Sequence, residues 1–250
     1  MINKLLDTYR AFPLEREYEA WIINGIEEYF LSINLAYDIW AINPKLEKTW
    51  PSDEVLEFDG KLVGLQFKRP KLFKAKITQS TVTYDRLKWS LNSPKGQFAK
   101  VVNHSEIFFC LPTFINRKFR SVSLSHCLFW HPTKNSKPFE FWYANNNKKN
   151  QSLATSPDVM RWGHFIEQIL DCKIGKKFEA GESISDYVES LSKDFQDIKE
   201  IEENVDLDDI SEPNDTKEIK FLDKSTLYLL YLKFSPSYYS KSPQKLTYLA

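Results

Sequence analysis

Apolar residues recur at helical spacing near the start of the chain, at Tyr18, Trp21, Ile22 and Ile26. This predicts an amphipathic helix over about Pro13–Phe30. Pro13 suits a helix start, and Glu15, Glu17 and Glu19 crowd the first turns, where the helix dipole favours acids. The pattern then changes to a period of two. Over Pro51–Lys68, short apolar-polar alternations flank Asp59-Gly60, which predicts two strands joined by a tight turn. Val63, Leu65 and Phe67 fall on one face of the second strand, and Gly64, Gln66 and Lys68 on the other. Pro70 cannot donate to a strand ladder, so the strand is expected to end there and a loop to follow.

Further on, 84–102 mixes helical periodicity with a break at Asn92-Ser93-Pro94. The unbroken apolar run Ile107–Pro112 has the length of a buried strand. Leu124–Trp130 and Phe139–Ala144 are two further candidate strands, and the polar run 145–150 is a loop. Ser156 and Pro157 open a helix to about Cys172, expected to bury Val159, Trp162, Ile166, Ile169 and Leu170.

Composition changes this picture in one place. The chain has 250 residues and zero formal net charge. That balance hides an asymmetry, because 178–218 carries 15 acidic against 3 basic residues. Few large apolar residues lie at its centre, which argues for a flexible acidic linker. Such a linker is either an inert tether or a cover that competes with phosphate for the basic regions. The stretch Phe221–Phe234 is apolar again and is expected to dock on the core or on another chain. The chain therefore divides into an α/β domain over 1–177, an acidic linker over 178–218 and a C-terminal docking segment over 219–250. No window of eighteen apolar residues occurs, so no membrane span is expected. Met1–Asp7 has no secretory character, and Cys110, Cys127 and Cys172 show no disulfide spacing, which suits a reducing cytoplasm.

The candidate chemistry lies between Asp53 and Lys76. Asp53 offers a carboxylate, and Gln66 and the Phe67 carbonyl offer further oxygens for a hard divalent cation. Lys68 offers an ammonium beside an attacking water or a charged phosphate. Five of the nine residues from Lys68 to Lys76 are basic. Arg69, Lys71, Lys74 and Lys76 are therefore candidates for backbone phosphate contacts. His126, Cys127 and His131 have no second ligand pair and read as structural rather than as zinc ligands. No Gly-rich phosphate loop and no nucleophile elbow is present.

Pro51-Ser52-Asp53 followed by Gln66-Phe67-Lys68 resembles the PD-(D/E)xK phosphodiesterase superfamily. The Gln in place of Glu is similar to the QxK variant of Mrr-type restriction endonucleases. The resemblance spans roughly residues 14–115 and implies a restriction-endonuclease-like core: a mixed central β-sheet flanked by helices, here with an acidic C-terminal extension. It implies a nuclease dependent on Mg²⁺ or Mn²⁺, acting on DNA in restriction, antiphage defence or repair. It also implies a Glu from the preceding helix, Glu19 or Glu28, with Glu19 favoured, and a downstream glutamine, Gln97. Double-stranded DNA is the expected partner, and a homodimer or a partner subunit bound through the C-terminal segment fits duplex cutting. The competing readings are a non-catalytic nucleic-acid-binding or assembly subunit with a degenerate site, and an interaction module working through the acidic tail.

Overall fold

A computed structural model of the chain describes residues 13–42, 60–76, 83–92, 95–136, 139–143, 158–179, 181–196 and 227–233. The first helix, α1 (Glu15–Ser32), buries Tyr18, Ile22, Ile26 and Phe30, a stripe spaced four residues apart. Its end is set locally. Asn34 takes a left-handed φ of 54°, Leu35 N–H donates to Phe30 C=O and Asn34 N–H to Leu31 C=O. This is the paired closure that stops a helix and turns its next apolar residue inward, and Leu35 is indeed buried.

Strands β1 (Tyr37–Ile42) and β2 (Gly60–Phe67) follow, then β3 (Pro70–Lys76) and β4 (Thr83–Ser90). A short helix, α2 (Gln97–Asn103), leads to β5 (Ile107–Pro112). Two 3₁₀ segments (Arg117–Val122 and Leu124–His126) precede β6 (Cys127–Trp130) and β7 (Phe139–Tyr143). The remaining elements are β8 (Val159–Arg161), α3 (Trp162–Leu170), β9 (Lys176–Phe178), α4 (Ile184–Gln196) and β10 (Leu227–Lys233).

The described strands form a mixed central sheet in the order β1-β10-β2-β5-β6-β8, with β9 also paired to β2, and a smaller sheet β3-β4-β7. Strands β2 and β5 are parallel; β10 runs antiparallel to both β1 and β2. Helices cover both faces. Val63, Leu65 and Phe67 join α1 and α3 on one face. Leu62, Ile107 and Phe109 join Leu87, Trp89, Val101 and the apolar side of α4 on the other. With both faces covered, β2 is buried at every position, the state expected of a central strand between two helical layers. Gly60 and Gly64 keep this middle thin: a Cβ at Gly60 would overlap the Tyr231 ring, and one at Gly64 would crowd Ile107.

Several expectations change. The segment read as a basic loop is β3, with Pro70 as its first residue, where a missing N–H is tolerated. Residues 84–102 are not mainly helical. Leu87 and Trp89 are buried in alternation with half-buried Lys88 and Ser90, a period of two, and a helix starts only at Gln97. Leu124–His126 winds as 3₁₀ before β6 begins. The helix expected over 157–172 begins at Trp162, because Val159–Arg161 pairs with β6 and covers its outer edge. The linker expected over 178–218 carries ordered structure at its start. Within the acid-rich sequence Ile184, Val188, Leu191 and Phe195 repeat at helical spacing and bury against the core. The boundary expected at 177 falls inside β9, which pairs with β2. No helix among the described residues is long and apolar enough to cross a membrane.

Candidate active site

The pairing register places Gln66 in a row that crosses the whole sheet. Ile42, Leu227, Gln66, Phe109, Trp130 and Val159 are successive cross-strand partners. Cross-strand partners share a face, so Gln66 is the one polar side chain in an otherwise apolar row. It is 1% exposed, and Lys68, just beyond the strand, is 4% exposed. Burying an amide and an ammonium is expensive unless each is engaged. A hydrophobic residue at either place would pack at no such penalty. The backbone continues the parallel ladder here, since Lys68 N–H donates to Cys110 C=O at 3.1 Å. Lys68 thus keeps the parity of Gln66.

Gln97 lies in the same layer. It opens α2, which packs on this side of β5, and it is 1% exposed. Asn92 Oδ1 holds the turn before it, accepting from Gly96 N–H at 2.9 Å and Phe98 N–H at 3.4 Å. Gly96 has a φ of 95°, which a side chain would strain. Trp89 Nε1–H donates to Pro112 C=O at 3.2 Å and ties β4 to the end of β5.

Glu19 is buried, at 4% exposed, but on the opposite face. It accepts from the Tyr228 hydroxyl at 3.1 Å, and Tyr228 pairs with Leu65, not with the Gln66 side. Burial, then the negative Glu19, pushes the Tyr228 hydroxyl well above its ordinary pKa. Burial, then the Cys127 thiol and Glu19, raises that of Cys110. The resemblance implies Glu19 as the helix acid of a site with Asp53 and Gln66, and the fold sets it across the sheet from Gln66. Helix geometry explains the difference: Glu19 is adjacent to Tyr18 on the stripe that packs against Val63, Leu65 and Phe67. The first turn of α1 still lies at the Lys68 end, because Arg69 N–H donates to Glu15 Oε2 at 2.9 Å. Glu19 is one turn further, about 6 Å along the axis. Glu28 is exposed and accepts from Asn24 at 2.8 Å.

Asp53 lies outside the described residues, and so does the first strand expected before Gly60. A hairpin partner for β2 needs a free edge. Residues Gly60–Gln66 pair with β10 on one edge, while β9 and β5 occupy the other. The strand beside Gln66 therefore comes from the C-terminal region and not from an adjoining hairpin. β1 is parallel to β2 through their shared partner β10, so Ile42 lies at the Gln66 end. Of the basic residues, Arg69 is half-buried, Lys71 is exposed opposite Lys88, and Lys74 and Lys76 stand on β3 opposite Asp85 and Thr83.

The oxygen donors among the described residues do not form a metal cage by themselves. No three His, Cys, Asp or Glu side chains converge among them, and Gln66 and Glu19 are separated by the sheet. Tyr228 lies in the apolar stretch expected to dock on the core, and no local pattern in the sequence signals that its hydroxyl meets Glu19. No family model, no curated protein and no solved structure matches this chain. What the coordinates define is a mixed α/β domain with a mixed central sheet flanked by helices and a buried amide-ammonium pair at the end of its middle strand.

Proposed function

We propose that this chain is a divalent-metal-dependent nuclease of the PD-(D/E)xK type, acting on DNA. The observation that carries the reading is the burial of Gln66 in an apolar row, with Lys68 buried just beyond it at the carboxyl end of β2. Supporting it, β2 and β5 are parallel neighbours, and α2, the element directly before β5, brings Gln97 to the same layer. Mg²⁺ or Mn²⁺ would be held by Asp53 and by the oxygens of Gln66 and Phe67, and would supply Lewis-acid polarisation of the phosphate. Glu19, the helix acid that the resemblance names, stands across the sheet from Gln66 and accepts from Tyr228. Lys68 has its backbone held at the end of β2 by the ladder. It orients the attacking water and balances charge building on phosphorus. Lys71, with Lys74 and Lys76 on β3, provides backbone contacts that do not read sequence.

The test is plasmid cleavage by the purified chain with Mg²⁺ or Mn²⁺, beside Lys68→Ala and Asp53→Ala. Both substitutions are expected to lower cleavage at least a hundredfold while leaving thermal unfolding within a few degrees of the parent. Unchanged cutting by Lys68→Ala would remove the ammonium from the mechanism. The absence of an acid at position 66 favours a second reading, a nucleic-acid-binding subunit with a decayed site; that reading expects DNA binding without cleavage at any metal concentration.

A further inference from the structure

The smaller sheet sorts its residues by face. Cross-strand partners share a face, and the face changes at every residue along a strand. Leu72, Leu87 and Trp142 are successive partners, and so are Pro70, Trp89 and Glu140. Leu87 and Trp89 are buried and belong to the core layer that holds Phe109 and Leu227, the two strand partners of Gln66. This sheet therefore covers the central sheet on the Gln66 side. Its other face is the outer one, where Lys71 is exposed and Lys88 half-buried.

The outer face has its own composition. One row is Phe73, Arg86 and Tyr143, and the next is Lys71, Lys88 and Phe141. Tyr84 and Phe139 flank these rows, and Ala75 and Ser90 fill the remaining positions. Cations and aromatic residues are thus interleaved with no acid among them. Both acids of the three strands, Asp85 and Glu140, take the core parity instead. Rows on one face repeat about every 7 Å along a strand. Contact with water alone gives aromatic rows no gain, and an apolar protein cover would bury the cations at a cost. A polyanion with uncovered bases satisfies both residue types, because phosphates neutralise the cations and unpaired bases stack on the aromatic residues. A duplex hides its base faces and could use the cations only. The connection is short as well. Only Lys68 and Arg69 separate the end of β2 from Pro70, the first residue of β3, so Lys71 is three residues from the candidate ammonium.

We infer that the outer face of the β3-β4-β7 sheet binds single-stranded nucleic acid, with phosphates against Lys71, Arg86 and Lys88 and bases against the interleaved aromatic positions. The binding follows from the face itself, and only the choice of DNA rests on the nuclease reading. The full-length chain, in EDTA to withhold divalent metal, is titrated into fluorescein-labelled oligothymidylate while anisotropy is followed. A wholly abasic strand of equal length and the oligothymidylate annealed to its complement are the controls. The oligothymidylate is expected to bind roughly tenfold more tightly than the abasic strand, and more tightly than the duplex. Phe141→Leu keeps apolar bulk without a ring; it should erase the preference over the abasic strand and leave abasic binding as it is. If that variant does not fold, Phe73→Leu on the same face reads the same quantity. Lys71→Ala should weaken both single strands and lower the salt slope by about 0.7. Lys118→Ala, at an exposed cation in the 3₁₀ segment beside α1, should do neither. Equal affinity for thymidylate and abasic strands, tighter binding of the duplex, or an equal loss in Lys118→Ala would overturn the assignment. A chain that binds in this base-dependent way and never cuts removes the nuclease reading and keeps the face. One that cuts without such binding removes the face and keeps the nuclease reading.

Discussion

At the scale of single residues, two carboxylates on α1 show how position decides role. Glu17 accepts from Leu14 N–H at 2.8 Å and from both arms of Arg117, so it caps the helix and anchors the 3₁₀ segment. The Arg117 guanidinium holds its carboxyl below the ordinary range despite partial burial. A lowered folded-state value means that the contribution is complete above the ordinary carboxylate pKa and fades as pH falls through the lowered one. Both side chains are about one-third exposed, so screening keeps the pair near 0.5–1 kcal/mol. Arg117→Ala should therefore cost about that much in urea unfolding at pH 7, with the gap closing towards pH 3. Glu19, two residues on, is buried and takes the Tyr228 hydroxyl. Tyr228→Phe leaves that oxygen short of one donor and is expected to destabilise by about 1–3 kcal/mol. A midpoint equal to the parent's would show that this hydrogen bond contributes nothing net.

At the scale of elements, β2 is the informative one. It packs between β10 on one side and β5 with β9 on the other, and its glycines let Tyr231 and Ile107 approach its backbone. Tyr231 is 1% exposed and has no solvent into which its ring can move. Gly60→Ala should thus lose about 1–3 kcal/mol through overpacking, read as a lower denaturant midpoint. Gly163→Ala on α3, where an added Cβ meets nothing, serves as the matched control and is expected to be neutral or slightly stabilising. Much of β2 was legible in the sequence. Val63, Leu65 and Phe67 do share a buried face, and Ile107–Pro112 is its neighbour. The burial of the other face was not legible, because a Gly-x-Gln-x-Lys face looks solvated until another layer is known to cover it. β4 is not legible within the mixed pattern of 84–102, because a short run of apolar residues fits both periods.

At the scale of the whole molecule, the decisive feature is the return of the chain from Gln196 to Leu227, which inserts β10 between β1 and β2. A strand in the middle of a sheet is not an appendage. Removing it leaves the facing edges of β1 and β2 with unpaired backbone groups and takes Leu229, Leu230, Tyr231 and Leu232 out of both cores. Truncation after Gln196 is expected to abolish cooperative unfolding, measured by circular dichroism and by proteolysis. A truncated chain that melts as sharply as the parent would show that β10 is dispensable.

Read alone, the sequence determined what local physics can determine. The stripe of α1, the length of β5 and the apolar alternation of β2 all follow from spacing and residue type. Tertiary structure decided what depends on distant neighbours. It set which strand lies beside Gln66, the burial of Lys68, the side of the sheet on which Glu19 stands, and the turning of an acid-rich stretch into α4. Pairing between β2 and β10 spans some 160 residues of chain, and no local period records a partner that far away.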